Sequence, residues 1–143
     1  MPDMTGDEAR ERFAQARSAV LATADAGGRP HLVPVTFAMT GDVVVFAVDH
    51  KPKRSHRLKR LANIRSNPAV SLLVDSYGED WERLWWARAD GKGRVLPPAG
   101  GSPASSAYAE LLAQRYVRQY GPAPPQGPVV EIAVERWTGW RAR

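Results

Sequence analysis

The sequence predicts an antiparallel β-barrel with helices at its openings, mainly β with flanking helices, and three observations carry that prediction. Runs rich in Val, Leu and Phe recur at 18–24, 30–38, 42–48, 69–76, 82–96 and 129–136. Tight turns built on Gly, Asp and Pro join several neighbouring runs, as hairpins require. Three segments with helical periodicity interrupt the strands, which suits helices lying across the ends of a closed sheet. At 143 residues the chain reads as one domain, 1–143, large enough to bury a core.

Taken in order, 6–16 is an opening helix with Ala9, Phe13 and Ala16 on one face. The run 18–24 (SAVLATA) is a short strand, and Asp25-Ala26-Gly27-Gly28 is a turn. In 30–38 (PHLVPVTFA), Val33, Val35 and Phe37 share one face, while Leu32, Pro34, Thr36 and Ala38 share the other. Pro34 cannot donate to a ladder, so this strand belongs at an edge, a bulge or an opening. Thr40-Gly41-Asp42 turns the chain into the strand 42–48. A short amphipathic helix follows at about 53–65, with Leu58, Leu61 and Ala62 at helical spacing, and Asn67-Pro68 stops it.

The run 69–76 (AVSLLVDS) is another strand, and 82–96 holds one or two more, with Asp90-Gly91 as the bend. After a loop at 97–102, Ser102 and Pro103 read as N-cap and first helical position. Tyr108, Leu111, Leu112 and Tyr116 mark the buried stripe of that helix, which Gly121-Pro122 ends. A proline-rich loop, 122–128, leads to the last strand, 129–136. The order is helix, three strands, helix, two or three strands, helix, strand.

Composition narrows the function. Hydrophobic residues make up 43% of the chain and five are Trp, which argues for a packed fold and against disorder. No Cys is present, which excludes a disulfide framework, thiol catalysis and cysteine metal sites, and fits a reducing cytoplasm. The polar, acidic start (MPDMTGDEARERF) is not a signal peptide, and no apolar run approaches the ~20 residues of a membrane span. Twenty basic residues against 15 acidic ones give a net charge of +5, which favours anionic partners.

The cations are concentrated. The stretch 49–68 (DHKPKRSHRLKRLANIRSNP) places Lys51, Lys53 and Arg54 at a helix entrance, where the macrodipole is already positive. Free N–H groups at a helix start, with cations beside them, suit a phosphate or carboxylate. The competing reading is a solvated basic face. A nucleic-acid module would instead spread its cations along a continuous surface with exposed stacking aromatics.

Catalytic signatures are scarce. Gly91-Lys92-Gly93 lacks the third glycine and the strand-to-helix setting of a dinucleotide fingerprint, and no P-loop occurs. His50 and His56 are six apart, not the i,i+4 spacing of two metal ligands on one helix face. Asp75, Glu79 and Asp80 offer a carboxylate pair for acid–base work, against the competing reading of a solvated loop, which the sequence favours. No acid, base or nucleophile stands out in the chain, so in an enzyme a bound cofactor would carry the chemistry. Trp85 and Trp86 are adjacent, so on a strand one ring faces the core while the other needs a second surface, such as a subunit interface or a planar ligand.

HLVPVTF, VVVFAVD, KPKRSHRLKRLANIRSNP and AVSLLVD follow one another in an order that resembles the pyridoxamine 5′-phosphate oxidase-like family of split β-barrel, FMN-binding proteins. The block DWERLWWARADG is similar to the family's coenzyme F-420-dependent oxidoreductase branch. The resemblance covers about 8–141. It implies a homodimer with cofactor at the subunit interface and a small organic substrate, with no nucleic acid or membrane partner. It also implies that the backbone of Val33, Pro34, Val35 and Thr36 lines the ring system. Val48 and Asp49 would flank the ribityl chain, and Lys53 and Arg54, helped by Lys51, would hold the phosphate. The segment 53–68 is longer than in the FMN-using oxidases, so Lys59 and Arg60 either meet a longer anionic tail or sit in solvent. Coenzyme F-420, a deazaflavin with a phosphate and a polyglutamate tail, is the expected cofactor. FMN, or a non-catalytic role as cofactor carrier, is the alternative.

Overall fold

Among the described residues seven antiparallel strands form one sheet whose two outer strands are consecutive in sequence. The protein is seen here in a computed structural model that describes residues 3–48, 55–121 and 123–142. Its elements are α1 (Gly6–Gln15), β1 (Ala19–Ala24), β2 (Pro30–Val35), β3 (Ala38–Thr40), β4 (Val43–Ala47), α2 (Ser55–Ser66), β5 (Ala69–Ser76), a 3-10 turn (Trp81–Arg83), β6 (Trp85–Pro98), α3 (Pro103–Arg115), α4 (Val117–Tyr120) and β7 (Pro128–Arg141). The strand order is β2-β1-β5-β6-β7-β4-β3. The chain therefore passes from one edge of the sheet to the other through Thr36 and Phe37 alone. The sheet curls into a barrel that stays split between β2 and β3.

Alternation along β6 shows which face is which. Ala87, Ala89, Gly91 and Gly93 are buried, while Lys92 and Arg94 between them are exposed. The interior is filled by Phe13, Leu21, Phe37, Phe46, Ile64, Leu72 and Ile132, among others. Helix α1 contributes Phe13, which meets Phe37 at 5.0 Å and Trp137 at 5.4 Å between ring centroids. Thr5 caps α1 in a reciprocal box with Glu8. A second apolar cluster lies under α3, where Leu112 and Tyr116 cover Ala38 and Val45. For that reason Val44, Val45 and Phe46 are all buried although they alternate in direction.

The structure corrects several expected boundaries. The run 30–38 is two strands, because the chain changes sheet edge at Thr36-Phe37. Asp90-Gly91 is not a hairpin bend. β6 is a single strand of 14 residues, and the pairing slips there, so that Glu135 is the extra residue of a bulge on β7. A side chain at Gly91 would place its Cβ 2.2 Å from the Ala133 carbonyl oxygen, so the glycine serves close approach of β7. The last strand continues past 136 to Arg141. Gly139 seats the chain start: its Cβ would lie 2.8 Å from Met4 Sδ and 3.0 Å from the Trp86 carbonyl oxygen. Helix α2 is described from Ser55, so Lys53 and Arg54, expected at its start, lie outside the described residues.

Candidate cofactor site

β2 is an edge strand, paired only with β1 in the register Ala19↔Val35 to Ala24↔Pro30. An edge strand leaves alternate peptide groups without a sheet partner, and Pro34 has no N–H to offer to any ladder. Val33 and Val35 point inward and pack on the core, whereas Leu32, Pro34 and Thr36 are exposed. The strand thus presents backbone, a proline ring and a threonine on its outer side. Such a surface can hydrogen-bond a flat heterocycle along its rim and cover one face of it.

Across the corner, β3 pairs with β4 as Ala38↔Val45. β4 continues towards Val48, whose N–H donates to the Pro128 carbonyl at 2.9 Å. Val48 is half-buried and packs against the core. Asp49, Lys51, Lys53 and Arg54 lie outside the described residues. Beyond them Lys59 is exposed on α2 and Arg60 is half-buried. The first turn of α2 carries no acidic residue, so nothing there offsets the positive end of the helix dipole.

Helix α2 is tied into the barrel. Leu61 and Ile64 are buried, and Asn63 Nδ2 donates to Thr23 Oγ1 at 3.1 Å with both residues buried. The periodicity of α2 hides this bond, since Asn63 occupies a position an apolar residue would normally fill. Its signal in the sequence is that misfit alone. His31 stands opposite Thr23, and its Nδ1 is buried without a hydrogen-bond partner among the described residues.

The outer face of β2, β1 and β5 exposes apolar side chains. Leu32 is 65% exposed, Val20 40% and Leu73 38%. Register sets Pro34 beside Val20 and Val20 beside Leu73. As the adjacent tryptophans imply, Trp85 packs on the core and Trp86 faces outward, paired with Trp140 and covered by the Arg88 guanidinium at 5.3 Å. On the same face Asp90 accepts from Ser71 Oγ at 2.6 Å and from Arg88 Nε at 3.2 Å. Among the described residues no group of three or more His, Asp or Glu side chains could hold a metal. Among the described residues no helix is long and apolar enough to cross a membrane.

A family model, described as pyridoxamine 5′-phosphate oxidase, matches residues 5–141. The chain belongs to this family. No curated protein sequence matches it. Solved structures that share the fold include a FAD-binding protein from Mesorhizobium loti, 22% identical over 96% of this chain and 94% of that one, with a TM-score of 0.71. A FAD-binding protein from Mycobacterium smegmatis is 18% identical over 99% of both chains, with a TM-score of 0.66. A heme storage protein from Vibrio cholerae is 17% identical over 96% of this chain and 95% of that one, with a TM-score of 0.68. At these identities the likeness is one of fold. This member of the family has the split barrel, with an exposed edge strand beside an open apolar face.

Proposed function

We propose that the protein is a coenzyme F-420-dependent oxidoreductase acting on a small organic substrate, with its cofactor held at the interface of a homodimer. The observation that carries the reading is the free edge of β2, where Val33–Thr36 offers backbone beside an exposed apolar face. A deazaflavin supplies hydride transfer when bound. The chain's part is to position it and to keep water away, which needs no acid or base residue. Val33, Pro34, Val35 and Thr36 would line the ring, with Val48 and Asp49 beside the ribityl chain. Lys53 and Arg54, with Lys51, would hold the phosphate. Exposed Lys59 is available to an anionic tail that FMN lacks.

FMN is the second reading, supported by the flavin-type cofactors in the names of structural neighbours. A carrier role is the third, and storage of a cofactor by one neighbour supports it.

Titration of the purified protein with F-420, with F-420 of truncated tail, with FMN and with FAD separates these readings. Tighter binding of F-420 than of FMN, weakened by tail truncation, is the expected result. FMN binding as tightly as full-length F-420 would overturn the assignment of cofactor. Charge-assisted hydrogen bonds contribute roughly 1.5–3 kcal/mol each. Arg54→Ala or Lys53→Ala should therefore weaken binding about tenfold to a hundredfold. The empty protein should lose no thermal stability, because removing a cation from the positive end of a dipole relieves repulsion. Turnover of a reduced cofactor with candidate substrates then distinguishes an enzyme from a carrier.

A further inference from the structure

The corner between β2 and β3 is held by a side chain from the far end of α3. The Tyr116 hydroxyl accepts from the Phe37 N–H at 3.1 Å and from Arg115 Nε at 3.3 Å. Its own proton can go to the Phe37 carbonyl at 2.8 Å or to the Arg17 carbonyl at 2.9 Å. Two acceptor sites and one donor are the full capacity of a hydroxyl, and all are used here. Tyr116 is 3% exposed and Phe37 fully buried, so water has no access to replace these bonds. Arg115 extends the brace by donating to the Ala14 carbonyl at 3.0 Å and to the Ala16 carbonyl. Arg17 returns a bond to the Arg115 carbonyl at 3.1 Å, and its guanidinium lies 4.7 Å from the centre of the Tyr116 ring.

The position of this brace matters more than its strength. Phe37 is the residue at which the chain leaves one edge of the sheet and joins the other, so sheet pairing does not continue through it. Its N–H donates to the Tyr116 hydroxyl, and its carbonyl shares that hydroxyl's one proton with the Arg17 carbonyl, in place of ladder bonds to a neighbouring strand. Thr36, the last residue expected to line the ring, precedes it directly. The path of Val33–Thr36 relative to β4 and Val48 therefore depends on where Tyr116 holds Phe37.

We propose that Tyr116, supported by Arg115, is a positioning residue for the cofactor ring: it fixes the β2–β3 corner so that the backbone of Val33–Thr36 keeps the geometry the ring requires. This rests on the reading that the split-barrel edge binds a flavin-type cofactor. The two can fail separately. If the unaltered protein binds none of F-420, FMN and FAD, the cofactor reading itself fails.

The test compares Tyr116, the C-cap of α3, with Tyr108 in that helix, using whichever of F-420, FMN and FAD the unaltered protein binds best. Tyr108 donates to Glu131 Oε2 at 2.6 Å, away from the corner. Tyr116→Phe and Tyr108→Phe each remove one hydroxyl, and both should lower Tm. Only Tyr116→Phe should weaken cofactor binding, by about tenfold, when measured well below the Tm of both variants. It should also alter the absorption band shape of the bound cofactor, which reports the ring's surroundings and not global stability. Equal affinity and an unchanged spectrum in Tyr116→Phe, with only Tm lowered, would reduce the brace to a fold-stabilising contact and overturn the proposal. Should Tyr116→Phe fail to fold, Arg115→Lys decides, since it loosens the support of the hydroxyl and keeps the charge. A several-fold loss of affinity with a changed spectrum is expected, and an unchanged affinity and spectrum overturns the proposal.

Discussion

At the scale of single residues, the barrel interior contains one buried side-chain pair whose logic can be tested directly. Asn63 and Thr23 join α2 to β1 through a hydrogen bond in which both residues are almost wholly buried. A satisfied buried pair contributes modestly, but a widowed partner loses its desolvation energy, about 1–3 kcal/mol. Thr23→Val alone should therefore destabilise by about that amount. Combining it with Asn63→Leu should recover part of the loss, a non-additivity that a double-mutant cycle by chemical denaturation would measure. Additive losses would mean that the two groups do not depend on one another. A second residue-level device sits on the outer side of the sheet. The Tyr108 hydroxyl bonded to Glu131 lowers the carboxyl's pKa, with Arg94 adding to the effect, and the same bond raises that of the phenol. The native state thus binds a proton less readily than the unfolded chain at Glu131 and more readily at Tyr108. This stabilisation is complete between the ordinary values of 4.5 and 10.0. It is lost as pH falls through the lowered Glu131 value or rises through the raised Tyr108 value. Tyr108→Phe should flatten the acid limb of a Tm-against-pH curve. An acid limb as steep as that of the unaltered protein would assign the acid sensitivity to other carboxylates.

At the scale of elements, the bulge opposite Asp90-Gly91 makes a sharper demand on sequence than any turn. A Cβ on residue 91 would collide with the backbone of β7, not with the flexible end of a side chain, so relief requires the two longest strands to part. Gly91→Ala should cost roughly 1–3 kcal/mol, as overpacking does, whereas a hairpin bend would tolerate alanine better. Denaturation midpoints decide between the two. The same element shows what sequence could and could not reveal. Periodicity identified the stripe of α3 down to Leu112 and Tyr116, and the strand 69–76, because those residues bury one face with a regular repeat. Asp90-Gly91 misled because a tight turn and the close approach of a neighbouring strand both call for glycine, and only the partner strand distinguishes them. The break at Thr36-Phe37 was hidden for a related reason. Val33, Val35 and Phe37 keep their alternation through the corner, so the pattern carries no mark of the change of edge. Of the site itself, Pro34 confined its strand to an edge, a bulge or an opening from its chemistry alone, and the topology selects the edge. Tyr116 read only as core, since no local pattern tells a ring that fills space from a hydroxyl that holds a distant backbone.

At the scale of the whole molecule, the distribution of covered and open surface bears on assembly. Helix α3 covers the outer face of the sheet over β3 and β4, and the core fills the inner face. Among the described residues the outer face of β2, β1 and β5 has no such cover, and Leu32, Val20 and Leu73 lie there in adjacent strands with Pro34. An apolar patch of this kind, next to charged Arg88 and Asp90, is what an interface between copies would bury. Light scattering of the purified protein should give twice the chain mass of 15.7 kDa. Leu32→Asp provides the stronger test. On an exposed strand position of a monomer this change should move stability by no more than about 0.5 kcal/mol. In the centre of an interface it would bury an unpaired charge, which costs several kcal/mol and should dissociate the dimer. Because the cofactor is proposed to lie at that interface, dissociation should also weaken its binding, and raising the protein concentration should restore both together. A protein that is monomeric at micromolar concentration with and without cofactor, and whose affinity Leu32→Asp leaves unchanged, would remove the second copy from the site.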